Sequence, residues 1–230
     1  MEDVERGTGL FVVLEGPDGA GKSAAAASLV RSLRAAGHQV TATREPGGTP
    51  IGEALREVLL RAGVVERSGL ADALLFSAAR AELVQQVIRP ALERGEVVVS
   101  DRYATSTMAY QGYGAGVPRD ELVRLERVAT GGLLPDLIVL IDVSVAAGLA
   151  RRGAARGGET RFEELFDRAF HERVREGYLA MAAADPGRWR IVDGTLPEAQ
   201  VADEVLGIVR HRLEGASATG EPDPVGVRIT

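Results

Sequence analysis

The 230-residue chain contains no cysteine. That excludes disulfides, thiolate metal sites and a cysteine nucleophile, and leaves no sign of an extracellular disulfide scaffold. Lysine is almost as scarce: of the 27 basic residues only Lys22 is a lysine, and the rest are arginines. In a chain so biased to arginine, the one lysine marks a place where a compact ammonium fits and a planar fork does not. No apolar stretch approaches the roughly 18 residues of a membrane span. The start, Met1 to Arg6, is too polar for a signal peptide, so the cytoplasm is the expected location. An excess of positive charge is missing too. The net charge of −6 argues against a broad nucleic-acid or acidic-membrane surface and for small-molecule partners. The histidines, His38, His171 and His211, show no metal-ligand spacing and read as surface residues.

What is present is organised around Gly16-Pro17-Asp18-Gly19-Ala20-Gly21-Lys22-Ser23. The apolar run Leu10 to Leu14 precedes it and an alanine-rich helical segment follows, so strand, tight turn and helix N-terminus come in succession. This is the context that a phosphate loop requires. Glycines at 16, 19 and 21 let backbone N–H groups face a phosphate without obstruction by side chains. Lys22 is placed to reach the β- and γ-phosphates, and Ser23 to ligate Mg²⁺, with the helix macrodipole adding positive potential.

Further along, Gln39 to Thr43, Val97 to Val99, Leu137 to Ile141 and Arg190 to Val192 read as strands. Helices are expected over Ser23 to Ala36, Ile51 to Arg61, Leu70 to Glu93 with a break near Pro90, Ala104 to Tyr110 and Asp120 to Thr130. Others follow from Val145, over Glu163 to Ala184 and over Glu198 to Leu213. Strands alternating with helices predict a three-layer α/β/α domain over 10–213, with a central parallel sheet of about five strands. Residues 1–9 read as a flexible leader and 214–230, rich in glycine and proline, as a disordered tail. The segment Arg151 to Gly158 reads as a mobile, charged loop.

Polar residues cluster after the strands: Asp18 after the first, Arg44 and Glu45 after the second, Asp101, Arg102 and Tyr103 after the third. In a parallel sheet these ends converge, so a phosphate loop, a metal-holding aspartate and two arginines surround one cleft. This is a constellation for phosphoryl transfer, in which the protein positions two anions and neutralises charge.

The chain resembles the thymidylate kinases, a family of P-loop nucleoside monophosphate kinases. The resemblance lies in Leu14-Glu15-Gly16 through Ser23, Thr43 to Thr49, Leu75 to Arg80, Asp101-Arg102-Tyr103 with Ser106, Ala109 to Gly112, Pro135-Asp136-Leu137 and Thr160 to Glu163. It implies transfer of the γ-phosphoryl of ATP to dTMP, with Mg²⁺, by a homodimer. Its rivals are another nucleoside monophosphate kinase and a non-catalytic nucleotide-binding protein. By the resemblance, Gly16 to Ser23 with Arg151 and Arg152 bind ATP, and Lys22, Asp18, Asp101, Arg102, Arg152 and Arg156 carry the catalysis. Ser23 and Asp101 hold the metal, partly through water. Arg102 clamps the acceptor phosphate with Arg44, Glu45 and Ser106 nearby. Phe76 stacks on thymine, Arg80 reaches a base carbonyl, Gln111 hydrogen-bonds the base and Tyr110 crowds the 2′ position. Some members carry a loop arginine where Gly19 stands here. The Arg-rich lid, about 151–161, is therefore expected to supply the transition-state arginine, with Arg152 and Arg156 as candidates.

Overall fold

The computed structural model describes residues 9–60, 67–154 and 167–219. Five strands form one parallel sheet: β1 (Leu10–Glu15), β2 (Val40–Arg44), β3 (Val97–Asp101), β4 (Leu137–Asp142) and β5 (Trp189–Asp193). Their spatial order is β2-β3-β1-β4-β5. β1 is buried along its whole length, as a central strand covered on both faces must be, which is why it reads as an unbroken apolar run. Its residues alternate between two cores. Leu10, Val12 and Leu14 pack with Leu29, Leu33, Val205 and Val209. Phe11 and Val13 pack on the other side with Leu83, Ile88, Phe170 and Tyr178.

The helices are α1 (Lys22–Ala35), α2 (Pro50–Leu60), α3 (Gly69–Leu83), α4 (Arg89–Glu93), α5 (Ala104–Thr107), α6 (Arg119–Thr130), α7 (Val145–Ala154), α8 (Arg168–Ala184) and α9 (Glu198–Thr219). Helices α1 and α9 cover one face of the sheet; α3, α4 and α8 contribute to the core on the other. The expected break at Pro90 takes another form: α3 runs into a π-helical stretch, Val84–Ile88, and α4 continues through Pro90 to Glu93. Pro90 has no N–H to give, and the chain meets that loss by widening the turn before it rather than by ending the helix. A second π-helical stretch, Met108–Gly114, occupies the glycine-rich segment that follows α5.

Three expectations are revised. Residues 151–154, assigned to a loop, are the last residues of α7, and 214–219, assigned to the tail, are the end of α9. His171, read as a surface residue, is buried on α8 beside Phe170. The expected leader up to residue 8, the lid beyond Ala154 and the tail beyond Thr219 lie outside the described residues.

Strand register sets up the site. Leu14 and Arg44 both pair with Asp101, one on each side of β3, and Glu15 pairs with Leu140. The carboxyl ends of β1, β2 and β3 therefore finish level, which brings residues 15, 44 and 101 to one edge of the sheet.

Candidate active site

The phosphate loop links β1 to α1. Gly21 stands at the N-cap of α1 with φ near 93°, and no side chain caps that terminus. The first turn holds no acidic residue, so its N–H groups are left for an anion. Two different constraints act on the loop glycines. A Cβ on Gly19 would lie 2.1 Å from the Gly148 carbonyl oxygen of α7, whereas one on Gly21 would meet nothing within 4 Å. At Gly21 the positive φ alone, not obstruction, calls for glycine.

Lys22 is the first residue of α1 and is buried. Its Nζ donates to the carbonyl oxygens of Gly16 (3.0 Å) and Pro17 (2.9 Å). Burial, followed by the positive charge of Arg102, lowers its pKa to about 8, against the pull of Asp18, Asp101 and Glu15. Ser23 Oγ donates to Asp101 Oδ2 at 2.5 Å, which joins the helix terminus to the end of β3.

Arg102, directly after β3, has φ of 74° and is the non-glycine residue with positive φ among the described residues. Such a conformation costs about 1–2 kcal/mol and persists only where the surroundings impose it. Here they do. The guanidinium donates to Asp18 Oδ1 (2.7 Å), Ser106 Oγ (3.0 Å), Tyr178 Oη (3.0 Å) and Tyr110 Oη (3.1 Å). It also lies 5.0 Å from the Tyr110 ring centroid. Beneath it Glu15, fully buried, accepts from Tyr103 N (3.1 Å), Thr105 Oγ1 (2.7 Å), Ser106 Oγ (2.7 Å) and Tyr178 Oη (2.8 Å). Burial, and then the charge of Glu15, raise the Tyr178 pKa well above its ordinary value, so the hydroxyl keeps its proton and donates it.

A cleft of about 330 Å³ opens over these groups. Asp18, Gly19, Gly21, Lys22, Ser23, Arg44, Glu45, Phe76, Asp101, Arg102, Ser106, Tyr110 and Gln111 all line it, so one concavity gathers most of the residues singled out from sequence. Arg56, Leu60 and Thr107 line it as well. Glu45 is buried in its wall, and burial raises its pKa to about 7 despite the neighbouring Arg80.

The family model described as thymidylate kinase matches residues 14–205. The chain belongs to the thymidylate kinase family. It is 51% identical over 204 residues to the thymidylate kinase of Deinococcus radiodurans, a match covering 89% of this chain and 98% of that protein. Identity to the thymidylate kinase of Thermomicrobium roseum is 54%, covering 89% of this chain and 96% of the relative. For Pseudomonas savastanoi the values are 50%, 90% and 98%. The five-stranded parallel sheet flanked by helices is the fold expected of this family.

Some residues named from the family pattern stand off the cleft. Gly16, Pro17 and Ala20 complete the loop without lining it. Arg80 lies behind the wall, 1% exposed, its guanidinium engaged by Glu45, Glu126, Tyr103 and Thr107. Arg151 donates to the Gly194 carbonyl (2.6 Å), in the loop after β5. Arg152 lies in α7, and Arg156 lies outside the described residues. In the other direction, sequence reasoning missed Tyr178 and Glu126. Both sit in helices that read only as core-facing amphipathic segments, and no local pattern signals their long-range partners.

Proposed function

We propose that this chain transfers the γ-phosphoryl group of ATP to dTMP, giving dTDP and ADP for dTTP synthesis. The observation that carries this reading is the meeting in one cleft of two phosphate-binding devices, the Lys22 loop and Arg102. They are joined through Asp18, which belongs to the loop and accepts from Arg102 at 2.7 Å. A donor triphosphate and an acceptor monophosphate need such an arrangement.

The ATP phosphates lie in the loop, bound by its N–H groups, and Lys22 exchanges the Gly16 and Pro17 carbonyls for β- and γ-oxygens. Arg102 and Arg44 hold the acceptor phosphate, with Ser106 and Glu45 beside them. A phosphate oxygen of dTMP attacks in line; the new P–O bond forms as the β–γ bridging bond breaks, and the electron pair leaves with ADP. Arg152 and Arg156 meet the charge that develops on the transferring group. Phe76 stacks on the thymine ring, Arg80 and Gln111 read its polar edge, and Tyr110 disfavours a 2′-hydroxyl.

Ser23 Oγ and Asp101 Oδ2 are hard oxygen donors side by side at the helix terminus. Such a sparse protein set suits Mg²⁺, which keeps waters and takes phosphate oxygens as its remaining ligands. Bound there, the cation would neutralise phosphate charge, and these two residues are the ones that hold it.

A homodimer is part of the proposal. Ile51 and Val58 on α2, Leu70 and Leu74 on α3 and Val123 on α6 are 45–53% exposed. Helix α3 packs against both α2 and α6, so these side chains suit one apolar face for a second copy. The proposal also places the enzyme in the cytoplasm; no described helix is long and apolar enough to cross a membrane.

The deciding experiment is coupled ADP release from ATP and Mg²⁺ with dTMP, dUMP, UMP, dCMP, AMP and GMP as acceptors. Strong preference for dTMP is the expected result. Turnover with a different acceptor keeps the kinase and overturns the base pocket; silence across the panel overturns the transfer reaction.

A further inference from the structure

Arg80 has two acidic partners where one would suffice to neutralise it. From the end of β2, Glu45 Oε2 accepts from Nε at 2.8 Å and lies 2.6 Å from Nη2. From α6, Glu126 Oε1 accepts from Nη1 at 2.6 Å. Nη2 further donates to the Tyr103 carbonyl (3.3 Å) and Thr107 Oγ1 (3.2 Å). All three side chains are buried, with two carboxyl groups facing one guanidinium away from water. Such clusters are costly to desolvate and are poor devices for stability alone.

The details at Glu126 sharpen the point. Its Oε1 takes both Arg80 Nη1 and Ser77 Oγ (2.9 Å), while its Oε2 is buried with no hydrogen-bond partner. A glutamine would keep the accepting oxygen and replace the unpartnered one. The two hydrogen bonds that Glu126 accepts therefore do not themselves require its charge, which bears on the guanidinium. Glu45 takes hold of Nε and Nη2, whereas Glu126 takes hold of Nη1. Each fixes an end that the other does not reach, so the plane of Arg80 is set from both sides. Its partners Glu45 and Thr107 line the cleft, as does Phe76 one turn earlier on α3.

We propose that Glu126 is a positioning residue for base selection: opposing Glu45, it holds the Arg80 guanidinium in the plane that meets a carbonyl on the acceptor base. The proposal rests on the reading of Arg80 as a base-facing donor. Without the Glu126 charge, Arg80 is held from the Glu45 side alone, and its guanidinium is released to turn out of that plane. Arginine offers only donors, so it favours an acceptor carbonyl over an amino group at the same ring position. Thymine and cytosine differ in this way, which makes dTMP against dCMP the informative pair.

The test compares kcat and KM for dTMP and dCMP, and KM for ATP, in the full chain and in Glu126→Gln and Arg80→Lys, with thermal unfolding of each. Loss of one charge-assisted contact predicts a roughly three- to tenfold fall in the dTMP to dCMP ratio of kcat/KM in Glu126→Gln. The change is expected in KM for dTMP, with kcat, KM for ATP and Tm near those of the unaltered chain; Arg80→Lys loses more discrimination. An unchanged ratio in Glu126→Gln beside a lost ratio in Arg80→Lys overturns the role of Glu126 and leaves the base reading intact. An unchanged ratio in Arg80→Lys overturns the base reading and this proposal with it. A fall in Tm with no change in the ratio marks Glu126 as merely structural and also overturns it. Ser77→Ala removes only the hydroxyl that orients the Glu126 carboxylate. It should shift the ratio in the same direction, and it decides the matter should Glu126→Gln fail to fold.

Discussion

Replacing Tyr178 by phenylalanine removes one hydroxyl and leaves the ring in place. That hydroxyl donates to Glu15 (2.8 Å) and accepts from Arg102 (3.0 Å), so two contacts with charged partners are lost. Neither partner is abandoned. Glu15 keeps Tyr103 N and Thr105 on one oxygen and Ser106 on the other; Arg102 keeps Asp18, Ser106 and Tyr110. Hydrogen bonds to charged groups contribute about 1.5–3 kcal/mol each, and partial compensation places the combined loss near 2 kcal/mol. For a chain of this size that corresponds to a Tm lower by about 4–8 °C. In catalysis the effect should fall on the acceptor: with the Arg102 guanidinium less constrained, KM for dTMP should rise roughly tenfold, about 1.4 kcal/mol. KM for ATP should hold, because Tyr178 bonds no phosphate-loop atom in the described network. Differential scanning calorimetry and steady-state kinetics on one preparation would check both halves. A lowered Tm with an unchanged KM for dTMP would refute the positioning role.

Three further outcomes are expected. Because the Lys22 pKa is lowered from 10.5 to about 8, the free enzyme loses that ammonium as pH rises through 8. Log(kcat/KM) for ATP should therefore fall on an alkaline limb near pH 8, while kcat holds to higher pH because bound phosphates restore the proton; a flat kcat/KM profile to pH 9.5 would refute this. Arg102→Ala should damage use of dTMP by at least tenfold with KM for ATP little changed, and normal dTMP kinetics would remove the clamp. Leu74→Arg, on the half-exposed apolar face of α3, should yield a monomer in sedimentation velocity; an unaltered oligomer would place any subunit contact elsewhere.

Features whose chemistry is local could be read directly from the sequence. The phosphate loop needs its glycines, lysine and serine in consecutive positions between a strand and a helix, and β1 and α1 supply that context. The strand-end cluster of Arg44, Asp101 and Arg102 could be read because parallel register aligns carboxyl ends, as the pairing of Leu14 and Arg44 with Asp101 does. What escaped depends on distant partners. Tyr178 looks like any aromatic on a core-facing helix until α8 lays it on Glu15, and Glu126 looks like a surface glutamate until α6 meets α3. The burial of His171 escaped for the same reason: tertiary packing overrides composition.

The approach of Gly19 to Gly148 bears on how this family can diversify. A side chain at position 19 would run into the backbone of α7, within 2.1 Å of a carbonyl oxygen. Backbone cannot step aside as a flexible side chain can. An arginine in the phosphate loop is therefore closed to this chain by a single exchange, and helix α7 would have to be reseated in the same event. An engineer who wanted a side chain at that point of the loop would have to redesign two elements together.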